Sequence, residues 1–187
     1  MSRRPRKQGR LPGDPTQAQL LERMLRVDHA GEYGAVRIYS GQLAVLGRSP
    51  TGPVIRDMAE KEQEHLAAFD KLVIERRVRP TALMPLWHVA GYALGAGTAL
   101  LGEGAAMACT VAVEEVIDEH YAKQIEVLEV SGHEAALKQR LEQFRADEIE
   151  HREVGLAHGA RKAPGYKPLT AFVKAGSRLA IWLSERI

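Results

Sequence analysis

A single cysteine, Cys109, stands in a chain of 187 residues. That excludes an intramolecular disulfide framework and any metal site built from clustered thiolates. A bound metal would have to be held by carboxylate and imidazole, and a reducing compartment fits. Aromatic residues are scarce at 5%, too few for a β-sandwich or a base-stacking platform. The charge is almost balanced, at +2, so the surface as a whole is no nucleic-acid footprint and no nucleic-acid partner is expected. No Gly-rich turn joins a strand to a helix, which excludes a built-in dinucleotide site. No run of residues alternates in the period-two manner of a strand.

What is present is an ordinary globular composition, 45% hydrophobic and 27% charged, suited to one domain spanning 1–187 with a single core. Arg3, Arg4, Arg6, Lys7 and Arg10 crowd the start. No apolar run follows them, so they do not open a secretory signal peptide. Residues 1–13 read as a disordered basic tail, with attraction to anionic lipid as the sharper alternative. Beyond it the class is all-α, in five long segments. The first is expected from Pro15 to Leu46, capped by Asp14 with Gln17 and stopped at Gly47. The second spans Pro53 to Arg77. An apolar stretch, Leu86 to Val113, runs on into a polar helix ending near Val130. Another helix spans His133 to His158, and the last runs from Leu169 to Glu185.

The chemistry lies where apolar residues belong. In the second helix Ile55, Met58, Glu62, His65, Phe69 and Leu72 follow steps of three and four, the seam of a helix facing a bundle core. Leu137, Leu141, Phe144, Glu148, His151 and Gly155 repeat the arrangement later. Each of these helices is preceded by one with a single seam glutamate: Glu32 among Leu25, Asp28, Ala35 and Tyr39, and Glu114 among Met107, Val111, Asp118, Tyr121, Ile125 and Leu128. The order is thus Glu, Glu-x-x-His, Glu, Glu-x-x-His at nearly equal separations, a duplicated helix pair. One Glu-x-x-His on a helix is ordinary as a surface pair. Two on apolar seams, each with its own seam glutamate, are not. Buried carboxylates without partners cost several kcal/mol each. Two divalent cations would balance four carboxylates, with neutral imidazoles completing the set and no Lys or Arg required. The expected ligands are Glu32, Glu62, His65, Glu114, Glu148 and His151, and the donor set suits iron or manganese. Glu60, Glu64, Glu115 and Glu150 fall off the seams and read as solvated charges. Asp28, one turn before Glu32, is the candidate acceptor for a hydrogen bond from a ligand histidine.

The same residues carry a resemblance. Arg26-Val-Asp-His-Ala-Gly-Glu-Tyr-Gly-Ala35, Glu62-Gln-Glu-His65, Ala112-Val-Glu-Glu-Val116, Phe144-Arg-Ala-Asp-Glu-Ile-Glu-His151 and the tail Ala180-Ile-Trp-Leu-Ser-Glu-Arg-Ile187 resemble the demethoxyubiquinone hydroxylases of ubiquinone biosynthesis. The likeness runs from about Leu25 to Ile187. It implies a ferritin-like four-helix bundle holding two iron ions, with Glu62 and Glu148 bridging them. It implies hydroxylation of a prenylated methoxy-methyl-benzoquinol with dioxygen as co-substrate and an external reductant such as NADH. It places His120 and Tyr121 near the site, with delivery of protons or electrons as their role. It also implies membrane association and a lipid-binding helper protein. The location would be the inner side of the cell membrane in a bacterium, or the matrix side of the mitochondrial inner membrane for a mature eukaryotic form.

The stretch 83–113 is long enough for a membrane span, but Glu103 and the repeated glycines weaken that assignment. A spanning helix would also separate the two halves of the metal site. A hairpin or broken helix lying in the membrane interface is expected, joined there by the amphipathic last helix. The competing function is iron oxidation or peroxide reduction of the ferritin-like or rubrerythrin-like kind, which shares the ligand pattern.

Overall fold

The computed structural model describes residues 13–187, and all regular structure among them is helical. The basic residues Arg3 to Arg10 lie outside the described residues. The elements are α1 (Gln17–Leu46), α2 (Gly52–Glu75), α3 (Met84–Leu100), α4 (Glu103–Ser131), α5 (Ala135–Ala157), a 3-10 turn (Ala160–Lys162) and α6 (Tyr166–Ser184). The cap of α1 differs from expectation. Thr16 is the N-cap, its hydroxyl accepting from Gln19 N at 3.0 Å while Gln19 Oε1 accepts from Thr16 N at 2.8 Å. The Asp14/Gln17 box overlaps this one, so only one of the two can close.

The apolar stretch is broken, as expected, and the break is at Gly102. Its φ of +110° is open to glycine and strained for any residue with a side chain. The two pieces then part company. In α4, residues 105–113 are buried in the bundle. In α3 only Gly91, Gly95, Thr98 and Ala99 are buried, while Leu86, Val89 and Leu100 face outward. Glycines let α3 lie against α1 backbone to backbone. A Cβ at Gly95 would stand 1.9 Å from the Ile38 carbonyl oxygen, and one at Gly41 would stand 2.3 Å from that of Tyr92. No helix among the described residues is long and apolar enough to cross a membrane.

α1 pairs with α2 and α4 with α5, the two halves of the expected duplication, while α3 covers α1 and α6 covers α4. The apolar core is divided into layers. One cluster joins Tyr39, Leu46, Ile55, Met58, Met107 and Val111. Another joins Leu25, Phe69, Val73, Tyr121, Leu141 and Phe144. On every one of the four core helices the seam Glu or Glu-x-x-His lies between these layers. Water is thereby kept from the polar layer by apolar packing on both sides, which raises the strength of every charge interaction inside it.

Candidate metal centre

Glu32, Glu62, His65, Glu114, Glu148 and His151 are all buried, between 1% and 6% exposed. The structure brings all six together. Glu32, Glu62, His65 and Glu148 form one group, and Glu62, Glu114, Glu148 and His151 a second; within each, one donor atom per residue lies within 4.8 Å of the others. Glu62 and Glu148 belong to both, each supplied by the helix that also supplies a histidine. Glu60, Glu64 and Glu150 are exposed and Glu115 is half-buried, facing Lys174 of α6. Asp118 shares the seam of α4 in sequence but turns to α5, accepting from Arg145 Nε at 2.6 Å.

The donor atoms fit a pair of cations better than they fit one another. Nδ1 of His65 stands 3.1 Å from Glu148 Oε1, 3.7 Å from Glu32 Oε2 and 3.9 Å from Glu62 Oε2. Nδ1 of His151 stands 3.0 Å from Glu62 Oε1 and 3.3 Å from Glu148 Oε2. These approaches lack hydrogen-bond direction: both Nδ1 atoms, Glu62 Oε1 and Glu148 Oε2 are buried without a hydrogen-bond partner. Buried polar atoms are rarely left so. Among the described residues no Lys or Arg forms an ion pair with any of the four glutamates, whose charged neighbours are the two histidines, so cations or protons must balance the carboxylates.

The protonation states show the same tension. Burial pushes Glu62 and Glu114 well above the usual carboxylate range and raises Glu32, with the Glu148 charge adding to each. Burial also works on Glu148, but the flanking His151 and His65 outweigh it and hold that carboxyl at about 2. Burial would lower both histidines, yet the surrounding carboxylates prevail, Glu148 foremost, and push His65 up to about 11 and His151 to about 9. Without cations, therefore, protons on the imidazoles and on the raised carboxyls of Glu62 and Glu114 compensate for the missing positive charge.

Two tyrosines hold the outer glutamates. Tyr39 of α1 donates to Glu114 Oε1 of α4 at 3.0 Å, and Tyr121 of α4 donates to Glu32 Oε1 of α1. Each stands two turns beyond the single glutamate of its own half and reaches that of the other half. Burial first, then the neighbouring carboxylates, hold both phenols well above 10, so both donate as neutral phenols. This repeated spacing was available in the sequence as a signal.

The partner of the ligand histidine is corrected. His65 Nε2 donates to Asp147 Oδ2 at 3.0 Å, and the ring stacks on Phe144 with centroids 4.0 Å apart. Asp28, the expected acceptor, instead takes His120 Nε2 at 3.0 Å and Gln124 Nε2 at 2.8 Å. It lies across from α4 rather than from α2 or α5. Asp147 was missed because it sits beside Glu148 off the seam, and only the packing of α5 on α2 brings it to His65. Tyr121 thus touches Glu32 of the buried cluster, whereas the adjacent His120 turns away to Asp28.

Beside this layer is an apolar cleft of about 370 Å³ between α1, α3, α4 and α6. Gly31 and Gly34, which flank the Glu32 position on α1, line it with Trp87, Leu94, Phe172 and Ile181. Its size and lining suit an apolar ligand with a flat ring.

Residues 19–184 match the family model described as Ubiquinone biosynthesis protein COQ7. The chain is 61% identical over 179 residues to the 3-demethoxyubiquinol 3-hydroxylase of Rhodospirillum rubrum, covering 95% of this chain and 84% of that one. It is 56% identical over 169 residues to the human mitochondrial NADPH-dependent 3-demethoxyubiquinone 3-hydroxylase, covering 89% and 78%. It is 42% identical over 186 residues to the mitochondrial 5-demethoxyubiquinone hydroxylase of Saccharomyces cerevisiae, covering 91% and 80%.

Proposed function

The chain belongs to the Ubiquinone biosynthesis protein COQ7 family, and from that premise we propose that it hydroxylates the ring of a prenylated demethoxyubiquinol at a pair of iron ions. The observation that carries the metal part is the pair of overlapping donor groups sharing Glu62 and Glu148. Iron bound there would supply the activation of dioxygen, one atom entering the ring and the other leaving as water. Glu62 and Glu148, common to both donor groups, would be shared between the two cations, with Glu32 and His65 holding one and Glu114 and His151 the other.

The chain's own part is positioning, exclusion of water and proton supply. Tyr121 holds Glu32 and Tyr39 holds Glu114, so the terminal carboxylates keep one orientation while their outer oxygens are occupied. The cleft receives the ring and the start of its tail, with Gly31 and Gly34 leaving room against α1. Tyr121 and His120 are the residues for proton delivery. The Tyr121 hydroxyl is on a ligand, and His120, 13% exposed at its side chain, connects to solvent and to buried Asp28. Electrons come from a reduced nicotinamide or a separate reductase, since no dinucleotide fingerprint is present; the human relative is named NADPH-dependent.

The substrate arrives from a membrane surface. Leu86, Val89 and Leu100 of α3 and Phe172, Leu179 and Trp182 of α6 are exposed, on the two helices that wall the cleft. Such a face would lie in the lipid interface without a spanning helix. A lipid-binding helper protein is a further partner that the family resemblance implies. Iron oxidation or peroxide reduction without an organic substrate leaves the cleft without a role.

The decisive experiment incubates the protein with demethoxyubiquinol, ferrous iron and a reductant and measures the product mass. A gain of one oxygen is expected, with loss of activity in Glu148→Ala and His65→Ala. Full hydroxylation by either variant would remove the proposed centre.

A further inference from the structure

The two halves of the cage answer to each other residue by residue: Glu32 and Tyr39 to Glu114 and Tyr121, Glu62 and His65 to Glu148 and His151. Among the places where they differ, two bear on the histidines. Where α5 has Asp147 immediately before its bridging glutamate, α2 has Lys61. Where α5 has Phe144 one turn earlier, α2 has Met58. Asp147 and Phe144 both act across the bundle, on His65. Lys61 instead turns outward, 3.6 Å from Glu64 Oε2, and the Met58 sulfur lies 3.8 Å from the Tyr39 hydroxyl oxygen, whose proton goes to Glu114. Among the described residues His151 therefore pairs with protein groups through Nδ1 alone, Nε2 making no hydrogen bond within the protein, and its ring contact is an edge approach to Tyr39, centroids 6.3 Å apart.

We propose that the two cation positions are unequal. The position formed by Glu32, Glu62, His65 and Glu148 binds tightly and keeps its metal; the one formed by Glu62, Glu114, Glu148 and His151 binds weakly and exchanges. This deepens the two-cation reading and rests on it. The cause is preorganisation. Asp147 accepts the Nε2 proton of His65, which fixes the tautomer and leaves the Nδ1 lone pair facing the cage. Phe144 fixes the plane of the ring. His151 must settle both tautomer and orientation when metal binds. Removing a carboxylate partner of this kind typically lowers metal affinity about 10–100-fold, and the two positions should differ by about that factor.

The test titrates metal-free full-length protein with Mn(II), following bound and free metal by calorimetry and electron paramagnetic resonance. Two steps of one cation each are expected, about 10–100-fold apart. Asp147→Ala should weaken the tight step towards the weak one. Asp147→Asn, which keeps an acceptor, should fall between, and Lys61→Asp should strengthen the weak step. With one equivalent of Co(II), the proton spectrum should show one solvent-protected, hyperfine-shifted imidazole N–H, from His65, and Asp147→Ala should abolish its protection. Two equal steps, joint uptake of both cations, or folded Asp147 variants with unchanged steps would overturn the inequality while leaving a two-cation centre intact. No uptake of Mn(II) at all would overturn the centre and the inequality together.

Discussion

His65 and His151 carry protons in the metal-free protein because the glutamates around them outweigh burial. Their folded pKa values, about 11 and about 9, exceed the ordinary 6.5. The stability they add to the metal-free fold is therefore complete below about 6.5 and is lost as pH rises through about 9 and then about 11. Cations must expel these protons. Metal affinity should rise with pH, by about 100-fold per unit for loading both positions where the two imidazole protons are displaced, and more steeply where the raised carboxyls also lose theirs. Competition titrations between about pH 6 and pH 8 check this, and a pH-independent affinity would contradict it. Cys109 is the opposite case, a group burial keeps silent. It has no exposed surface, and burial, helped by the charge of Glu114, pushes its thiol up to about 12. A disulfide reagent at mildly alkaline pH should leave the native protein unlabelled and react with about one equivalent after denaturation. Tyr121→Phe removes the donor to Glu32 and the proposed proton path together. Hydroxylation should fall about tenfold or more, in the range for a lost proton-transfer group, with the metal content of the purified protein setting apart any loss of binding.

At the scale of elements, the contact of α1 with α3 depends on glycine. A methyl at Gly95 would meet the Ile38 carbonyl at 1.9 Å, backbone that cannot swing away. Gly95→Ala should destabilise the fold by about 1–3 kcal/mol, read as a lower urea midpoint with unchanged slope. Gly97, on the same helix, has nothing within 4 Å of a built Cβ. Gly97→Ala should be neutral or stabilise by up to about 1 kcal/mol. Equal effects from the two substitutions would contradict the packing described. Helix periods were legible in advance, because steps of three and four mark a buried face whatever the face meets. Ends were less so: two overlapping capping boxes begin α1, and sequence gives no reason for Thr16 to prevail over Asp14. The two fates of the apolar stretch were also hidden. Residues 105–113 and α3 have similar composition, yet one lies inside the bundle and the other on its surface, and hydrophobicity alone does not say which.

For the whole molecule, the outer faces of α3 and α6 should bring the protein to anionic vesicles. Val89 and Trp182 are exposed and do not line the cleft. Changing both to Asp should lower vesicle binding in flotation by about tenfold or more. Turnover of a short-tailed, water-soluble quinol should remain near its original rate. Equal loss of both activities would point to damaged folding instead of lost docking.

The six side chains that meet inside the bundle could be named from sequence because each lies on the apolar seam of its helix and the pattern recurs in both halves. A carboxylate or imidazole on an apolar seam, with no Lys or Arg to pair it, must meet something charged in the interior. That inference uses only the period within each helix and its repetition along the chain. Which residues meet across helices is decided by the axial register and rotation of the packed pairs, to which periodicity is blind. So Asp28 faces His120, Asp147 reaches His65, each tyrosine holds the glutamate of the opposite half, and His151 is left less well held than its counterpart.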